Sequence, residues 1–293
     1  MITGLLLLWA CVREPPPGSA TGLTTDPPDP GAGESTPLGT GDLYLDVVGF
    51  NVESGGADPA IVASEVIAAV QGEHAWGLSE VTNELTALTY VDAAADAGGA
   101  QFDYVIGTTT WEDLLVLAWD PDRLRMESYE ELHAINPHGS GRAPLVGTMT
   151  DLDSGTAFLL MVNHLWRTDD DARHEQAALL NAWAREQTLP IVMVGDYNLD
   201  WDVPSGGASR DAGYDLLTAD GVLEWVRPAV IETTQCSTWY DSVLDFTFVG
   251  GEARSWEATA ELVPVAEDYC RARTDERSDH KPVRAVLRHP AAP

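Results

Sequence analysis

Five short segments of the sequence carry side chains able to bind a cation or a phosphate. Four of them directly follow hydrophobic runs, and the fifth lies in a loop before the last run. The segments are Asn51-Val52-Glu53, Ser79-Glu80, Asn163-His164, Asp196-Tyr197-Asn198 and Ser278-Asp279-His280. Ligand sites form where strand ends converge on a rigid frame. Because carboxylate and amide oxygens suit a hard cation, the pattern predicts a site for Mg²⁺, Mn²⁺ or Ca²⁺.

Zinc is a weaker prediction for this site. His164 and His280 have no closely spaced His or Cys partner, which tetrahedral zinc sites usually need. Each segment alone also has an ordinary structural explanation. Gly195-Asp196 is a common strand-to-turn pair, and Glu80 is explained equally well as a solvated carboxylate at a helix N-terminus. Only the group as a whole favours a functional site.

The hydrophobic pattern predicts the elements that must bring these side chains together. Strands are predicted over residues 43–51, 76–81, 104–107, 114–119, 145–151, 158–164, 191–195, 243–249 and 283–287. Helices are predicted over residues 60–70, 82–97 and 173–187, the second capped by Thr82 and stopped at Gly98-Gly99. The strands before and after Asp153-Ser154-Gly155 form a predicted hairpin. Hairpins combined with strand–helix units indicate mixed sheets in an α/β or α+β sandwich, not a purely parallel sheet.

The chain divides into three parts. Residues 1–11 form an apolar leader that ends in Cys11 and resembles a bacterial lipoprotein signal, with a plain secretory signal as the alternative. We therefore expect an exported protein, either periplasmic, an outer-membrane lipoprotein or extracellular, with membrane anchoring through an acylated Cys11. Residues 12–41 are rich in Pro, Gly and Thr and are expected to be a disordered linker. Residues 42–290 are expected to form one domain, acting as a monomer.

The net charge of the protein restricts the kinds of molecule that it can bind. The 293 residues include 47 Asp and Glu against 16 Lys and Arg, a formal net charge of -31. Such a field repels polyanions, which argues against tight DNA binding through counterion release as the main function. A phosphate-handling enzyme is still compatible, because a bound cation supplies positive charge locally.

The order of these segments resembles the metal-dependent endonuclease/exonuclease/phosphatase superfamily, whose fold is that of pancreatic deoxyribonuclease. The resemblance spans residues 48–286 and rests on several short motifs in the family's order. These are Phe50-Asn51-Val52-Glu53, Gly77-Leu78-Ser79-Glu80-Val81, Arg142-Ala143-Pro144 with Val162-Asn163-His164-Leu165, Arg173 with Gln176, Gly195-Asp196-Tyr197-Asn198, Leu244-Asp245-Phe246 and Ser278-Asp279-His280-Lys281-Pro282-Val283. The resemblance implies an α+β fold, a four-layer α/β/β/α sandwich of two mixed sheets, with residues 42–290 as the catalytic domain.

The resemblance also implies roles for individual residues. The metal ligands would be Glu80, as the principal one, with Glu53, Asn51 and Asp279. The catalytic residues would be His164, Asp196, Asn198, Asp245 and His280. Asp196 would activate the attacking water, and Asp245 would hold one ring nitrogen of His280. The implied cofactor is Mg²⁺ or Mn²⁺, with Ca²⁺ as a further option.

Arginines and cysteines complete the predicted site. Substrate contacts are predicted for Arg167, Arg271, Arg273 and Arg277. Cys236 and Cys270 lie in loops that, in the family fold, precede the Asp245 strand and the Asp279-His280 motif. Two leftover cysteines in an exported domain favour a disulfide, with two free thiols as the alternative. Most tryptophans, Trp111 among them, are expected to pack in the core or at its rim, and Trp166 and Trp201 are the expected exceptions.

Three functions are compatible with these residues. The first is a metal-dependent hydrolase of phosphoester bonds, exported and acting as a nuclease or phosphodiesterase. The second is a phosphodiesterase or phosphatase acting on a lipid or small molecule, as in sphingomyelinases or inositol phosphatases. The third is a surface binding module that kept the fold and lost the chemistry. Because Glu80, Asp196 and His280 are all present, a catalytic function is favoured over the third.

Overall fold

Two six-stranded sheets build the domain in this computed structural model, which describes residues 41–53, 56–236, 241–270 and 276–290. The first sheet has the spatial order β11 (Glu257–Leu262), β12 (Val283–His289), β1 (Leu43–Asn51), β2 (Ala75–Val81), β4 (Leu114–Trp119) and β3 (Asp103–Ile106). Strands β1 and β2 are parallel, and the other neighbours are antiparallel. The predicted leader, nearly all of the predicted linker, and Cys11 lie outside the described residues.

The second sheet is also mixed. Its spatial order is β5 (Leu124–Glu131), β6 (Leu145–Asp151), β7 (Ala157–His164), β8 (Ile191–Asp202), β10 (Ser242–Gly250) and β9 (Leu223–Trp225). Strands β7 and β8 are parallel, and every other pair is antiparallel. The predicted hairpin is β6 followed by β7.

Helices cover the outer face of each sheet. Helices α1 (Pro59–Glu65) and α2 (Glu84–Gly98) pack on the first sheet, where Val62 and Tyr90 join a core with Phe50. Helices α3 (Asp170–Glu186) and α4 (Ala212–Leu217) pack on the second, where Leu180 and Leu217 join another core. A third core lies between the sheets. This order of layers confirms the predicted α+β sandwich of the α/β/β/α type.

Strand β1 shows why the central strands read as continuous hydrophobic runs. Leu45 and Val47 face the second sheet, whereas Val48 and Phe50 face the helices. Because both faces are buried, alternation with polar residues is lost. By contrast, the edge strands β5 and β11 each bury only one side chain fully, and the hydrophobic pattern did not predict them.

Helix starts differ from the predictions by a few residues. Helix α2 is capped by Asn83 and not by Thr82, because the Asn83 side chain accepts a hydrogen bond from the backbone N–H of Thr86. Helix α3 begins at Asp170, three residues earlier than predicted, because Asp169 accepts from the N–H of Ala172. Both caps use a side-chain oxygen to satisfy a free backbone donor. Among the described residues, no helix is both long and apolar enough to cross a membrane.

The two sheets approach each other closely at Gly77 of β2. A Cβ atom on Gly77 would lie 2.4 Å from Cγ2 of Val194 in the opposite sheet, so only glycine fits there. Asn51 pairs with Ser79 at the ends of these two strands, immediately beyond this contact. The close approach therefore brings polar groups from the first sheet within reach of the second.

Candidate active site

Strand register places three of the predicted site residues side by side in the second sheet. Asp196 on β8 pairs with His164 on β7 and with Asp245 on β10. Residues paired on neighbouring strands point to the same face of a sheet. Because Asp196 is the middle residue, it can interact with groups on both sides.

Glycine is required immediately before Asp196. Gly195 has a φ of 132°, and a Cβ atom there would lie 2.1 Å from the carbonyl oxygen of Asn163. Any other residue would be strained by this backbone conformation and would collide with β7. The Gly-Asp pair of the motif therefore has a steric origin.

An irregularity in β2 turns Glu80 toward the second sheet. The pairing of β2 with β4 shifts between Leu78 and Val81, and Glu80 has a φ of 60°. Left-handed backbone at a residue other than glycine is uncommon and is concentrated at functional sites. Here it redirects a carboxylate at the strand end into the gap between the sheets.

Carboxylates from the two sheets meet at Asn51. Its Nδ2 donates to Oε1 of Glu80 at 2.9 Å and to Oδ2 of Asp196 at 3.1 Å. His164 Nε2 lies 3.7 Å from the same Glu80 oxygen and 3.5 Å from the same Asp196 oxygen. One neutral amide thus separates two acidic groups that point at one location.

His164 is oriented by Asp113, a residue that the sequence analysis did not single out. Asp113 Oδ1 lies 2.9 Å from His164 Nδ1, and Arg142 contacts the other carboxylate oxygen at 3.2 Å. Arg142 also donates to the backbone carbonyls of His164 and Leu165. Burial alone would raise the pKa of Asp113, but the charges of His164 and Arg142 outweigh burial and hold it below its usual value.

His280 forms a second pair with Asp245. Oδ2 of Asp245 lies 2.7 Å from His280 Nδ1, so that Nε2 faces Oδ2 of Asp196 at 3.8 Å. Burial alone would lower the pKa of His280, but the nearby carboxylates of Asp245, Asp196 and Asp279 raise the pKa to about 10. An imidazolium at this position can donate a proton from Nε2 while Asp245 fixes the ring.

Glu53 and Asp279 join the two loops beside this pair. Glu53 Oε2 accepts a hydrogen bond from the backbone N–H of Asp279 at 2.7 Å. Asp279 Oδ1 lies 3.7 Å from Nε2 of His280, so its carboxylate borders the site. As a result Glu53 and Asp279 lie next to each other, whereas Glu80 belongs to the group around His164.

A short segment, residues 233–236, is hydrogen-bonded both to the strand that carries Asp245 and to the loop that carries His280. The hydroxyl of buried Thr234 accepts hydrogen bonds from the backbone N–H groups of Leu244 and Asp245. The N–H of Cys236 donates to the carbonyl oxygen of Asp279. A disulfide joins Cys236 to Cys270, and it therefore ties this segment to the chain on the other side of the His280 loop.

The remaining predicted residues occupy different surroundings. Asn198 has a φ of 50°, and its Nδ2 donates to the carbonyl of Leu165. Arg167 is exposed, three residues after His164. The guanidinium of Arg277 lies 2.7 Å from Glu65 and is stacked over a tyrosine ring. Arg271 and Arg273 lie outside the described residues. Substrate contact by these arginines stays a prediction.

Two tryptophans also depart from their predicted surroundings. Trp201, expected as an exception to core packing, is buried in the core beneath α3 and α4. Trp111, grouped with the core and rim residues, is 95% exposed.

The donor set fits a divalent cation. Ligand atoms of Glu80, His164 and Asp196 all lie within 4.8 Å of one another, and the same holds for Asp196, Asp245 and His280. The carboxylates of Glu80 and Asp196 share a single neutral donor on Asn51, which leaves excess negative charge at their meeting point. Carboxylate-rich surroundings of this kind suit Mg²⁺ or Mn²⁺ better than a soft metal.

Comparisons with solved structures identify the fold. An endonuclease/exonuclease/phosphatase family protein from Bacteroides thetaiotaomicron is 18% identical, with a TM-score of 0.62, over 84% of this chain and 98% of that one. A mannosyl-6-phosphatase from the same organism is 18% identical, with a TM-score of 0.59, over 83% and 99% of the two chains. TDP2 from D. rerio, in complex with a single-strand DNA product, is 15% identical, with a TM-score of 0.61, over 84% and 99%.

The chain has the endonuclease/exonuclease/phosphatase fold. No protein-family model matches the sequence, and no curated protein matches it either. The structure and its similarity to these solved structures therefore establish the fold that the motifs implied. The sequence identities are too low to assign the substrate of any of these proteins to this chain.

Asp113 and the role of Arg142 are the features that sequence reasoning missed. The predicted strand-end residues follow hydrophobic strands, whereas Asp113 precedes the strand β4. Arg142 was visible as part of a motif, but its bonds to His164, Leu165 and Asp113 depend on tertiary structure. An acidic residue immediately before a buried strand, as in Glu112-Asp113-Leu114, is the only local signal.

Proposed function

We propose that the protein is a divalent-metal-dependent hydrolase of phosphoester bonds. The observation that carries this proposal is the position of Asp196, whose Oδ2 lies within 3.8 Å of both His164 Nε2 and His280 Nε2. Two imidazoles on either side of one buried carboxylate can serve a water molecule and a leaving oxygen at the same centre. The fold shared with a mannosyl-6-phosphatase and with TDP2 supports the same reaction class.

The residues have separable roles in this proposal. Glu80 and Asn51 would hold the cation, which polarises a phosphoryl oxygen when bound. Asp196 accepts the proton of the attacking water at Oδ2. His280, protonated and held by Asp245, donates a hydrogen bond from Nε2 to a phosphate oxygen. His164, oriented through Nδ1 by Asp113, faces the same centre with Nε2 and can protonate the leaving oxygen.

Charge around the site favours a small substrate over a polymer. Two arginines beside the site are neutralised by carboxylates, Arg142 by Asp113 and Arg277 by Glu65. With a net charge of -31, the protein as a whole also repels a polyanion such as nucleic acid. Nuclease activity, which the sequence favoured, is the second candidate, and it is supported by the shared fold of TDP2 with bound single-strand DNA.

Export is part of the proposal as well. The apolar segment that ends in Cys11 and the disulfide between Cys236 and Cys270 both suit an oxidising compartment outside the cytoplasm. Fractionation of cells expressing the full chain, with labelling by a fatty acid, would test both export and acylation of Cys11. Protein found only in the cytoplasmic fraction would contradict this part of the proposal.

Hydrolysis of a generic phosphodiester and a phosphomonoester tests the reaction itself. We expect turnover with Mg²⁺ or Mn²⁺ that stops with excess chelator, and a loss of about 100-fold or more in Asp196→Ala and His280→Ala. Circular dichroism of both variants checks that the fold is intact. Turnover unaffected by chelator, or wild-type activity in Asp196→Ala and His280→Ala, would contradict the proposal, and no turnover from folded protein would favour a binding module.

Cation binding can be measured without turnover. Titration calorimetry with Mn²⁺ should show binding to the wild-type protein that weakens at least about tenfold in Glu80→Gln, because one anionic ligand is lost. Glu84→Gln is the matched control, since Glu84 is an exposed glutamate four residues away at the start of α2. Equal affinity in Glu80→Gln and Glu84→Gln would place the cation elsewhere.

A further inference from the structure

The most exposed of the large hydrophobic side chains in the described residues is Trp111, at 95%. Trp111 lies in the loop between β3 and β4, which we define as residues 107–113. Tryptophan is usually well buried, because exposing so large an apolar surface to water is unfavourable. Because tryptophan offers a large flat apolar surface and is enriched where proteins contact other molecules, Trp111 is a candidate for contact with a ligand.

This loop is firmly held, so the exposure of Trp111 does not arise from a loose segment. The carboxylate of Glu131 accepts hydrogen bonds from the N–H groups of Thr108 and Thr109, at 2.7 and 3.1 Å, and from both hydroxyls. The Thr109 hydroxyl in turn accepts from the N–H of Ala143 at 3.1 Å. The backbone before Trp111 is thus fixed to β5 and to the segment that enters β6.

A groove of about 780 Å³ lies beside Trp111. Its walls include Thr108 and Leu114 from the region between β3 and β4, and Gly139 and Ser140 from the segment before β6. Its volume falls in the range of small-molecule sites. Among the described residues that line the groove, none carries a charge.

Both walls of the groove continue directly into the residues that hold His164. Trp111 is two residues before Asp113, and Ser140 is two residues before Arg142. Two residues span at most about 7 Å, so both walls lie close to the side chains that contact His164. The groove is therefore within reach of a group attached to a phosphate at the candidate site.

The charges around the groove restrict what can occupy it. Glu112 is exposed beside Trp111, the carboxylate of Glu131 contacts the loop at Thr108 and Thr109, and Asp113 is the last residue of the loop. A second phosphate would be repelled here. A neutral ring with a flat face can instead stack on the indole, as sugars and nucleobases both do.

We infer that the Trp111 groove binds the organic part of the substrate, and that this part is a single uncharged ring with a flat face. The inference rests on the proposed phosphoester hydrolysis and names its substrate class: small phosphoesters of a ring-bearing alcohol. A sugar and a nucleoside share the necessary chemistry. Trp111 acts in this inference as a specificity residue that contacts the leaving alcohol.

Kinetics with three phosphomonoesters would test the inference: a hexose 6-phosphate, a nucleoside 5′-monophosphate and glycerol phosphate. In Trp111→Ala we expect kcat/KM to fall about tenfold for whichever ring-bearing substrate is natural, with glycerol phosphate unchanged. Trp111→Phe should recover most of the loss, because phenylalanine keeps a flat face. Tyr129→Ala, at an aromatic residue that is 50% exposed on β5, is the matched control.

Ligand binding can be read without catalysis. In an NMR spectrum recorded in excess chelator, each tryptophan gives its own indole N–H signal. The signal that is missing in Trp111→Phe belongs to Trp111. We expect a hexose 6-phosphate or a nucleoside 5′-monophosphate to shift that signal and glycerol phosphate to leave it in place. The ligand that shifts the signal distinguishes the two sources of the ring.

The outcomes separate this inference from the proposed function. If no phosphoester is hydrolysed and the Trp111 signal still shifts, the proposed function fails while the ring-binding groove stands. If hydrolysis occurs and Trp111→Ala changes all substrates equally or none, the inference is overturned and the function stands. A single-strand DNA oligonucleotide, assayed as a fourth substrate, tests a polymeric occupant: a loss in Trp111→Ala confined to the oligonucleotide would also overturn the inference.

Discussion

Asn51 and Asp196 are 145 positions apart in the chain and belong to different sheets, yet Nδ2 of Asn51 lies 3.1 Å from Oδ2 of Asp196. Both side chains are buried. The same Nδ2 donates to Glu80, so that one amide bridges two carboxylates across the gap between the sheets. This contact closes the candidate site and, in the absence of a cation, reduces the repulsion between the carboxylates.

Asn51→Ala should therefore destabilise the metal-free protein. We expect the free energy of unfolding in chelator to fall by about 1–3 kcal/mol, because buried acceptors lose their donor. Urea unfolding followed by tryptophan fluorescence measures this change. Asn83→Ala is the control: it removes a helix cap and costs about 1 kcal/mol, but it should leave hydrolysis intact. Full hydrolysis by Asn51→Ala would contradict a role for this amide in the site.

Asp113→Asn should reduce turnover without unfolding the protein. The change removes the charge that orients His164 Nδ1, so we expect kcat to fall about tenfold to 100-fold with little change in KM. Because Asp113 acts through His164, the pH profile of kcat should shift as well. Glu112→Gln, at the exposed residue next to Asp113, is the control and should keep the wild-type rate. A variant Asp113→Asn with wild-type rate and pH profile would show that the contact is only structural.

Asp245→Asn should lower the pKa of His280. Burial opposes the charged imidazole, and the carboxylates, Asp245 first among them, raise its pKa to about 10. Without the Asp245 charge, burial opposes the imidazolium more effectively, so the pKa of His280 should fall toward or below its ordinary value. Histidine C–H signals followed by NMR in chelator measure the titration directly. A His280 that titrates identically in both proteins would rule out this coupling.

The same shift predicts how stability depends on pH. A raised pKa stabilises the folded state fully below the ordinary value of 6.5, and this stabilisation is lost as the pH rises through about 10. Between about pH 7 and pH 10.5, Tm of the wild-type protein should therefore fall more steeply than Tm of Asp245→Asn. Parallel Tm curves for the two proteins would indicate that the charge on Asp245 contributes no such stabilisation.

Reduction of the disulfide should weaken the fold around His280. Cys236 and Cys270 are separated by 34 positions, and closing a loop of this length stabilises a protein by about 3–4 kcal/mol. Urea unfolding with and without a phosphine reductant measures the difference. The double variant Cys236→Ser with Cys270→Ser serves as the control, since the reductant should leave it unchanged. No effect of the reductant on the wild-type protein would mean that the thiols are free in solution.

The sequence by itself determined the central strands and the polar residues at their ends, several of which the structure brings together. Strands such as β1 are buried on both faces, which makes them visible as hydrophobic runs, and the polar residues at their ends mark the edge where the candidate site lies. The edge strands β5 and β11 were not visible, because each buries only one side chain fully and shows no hydrophobic run. The helix starts at Asn83 and Asp169 depended on single hydrogen bonds that several nearby residues could have formed.

Only the tertiary structure decided how the two sheets combine these residues. The contact of Gly77 with Val194 sets how closely the sheets approach, and the irregular backbone at Glu80 turns its carboxylate into the gap. The partners of His164 and the exposure of Trp111 likewise depend on loops that are distant in sequence from the residues they contact. Hydrophobic periodicity reports whether a side chain is buried, but it carries no information about which distant group that side chain will meet.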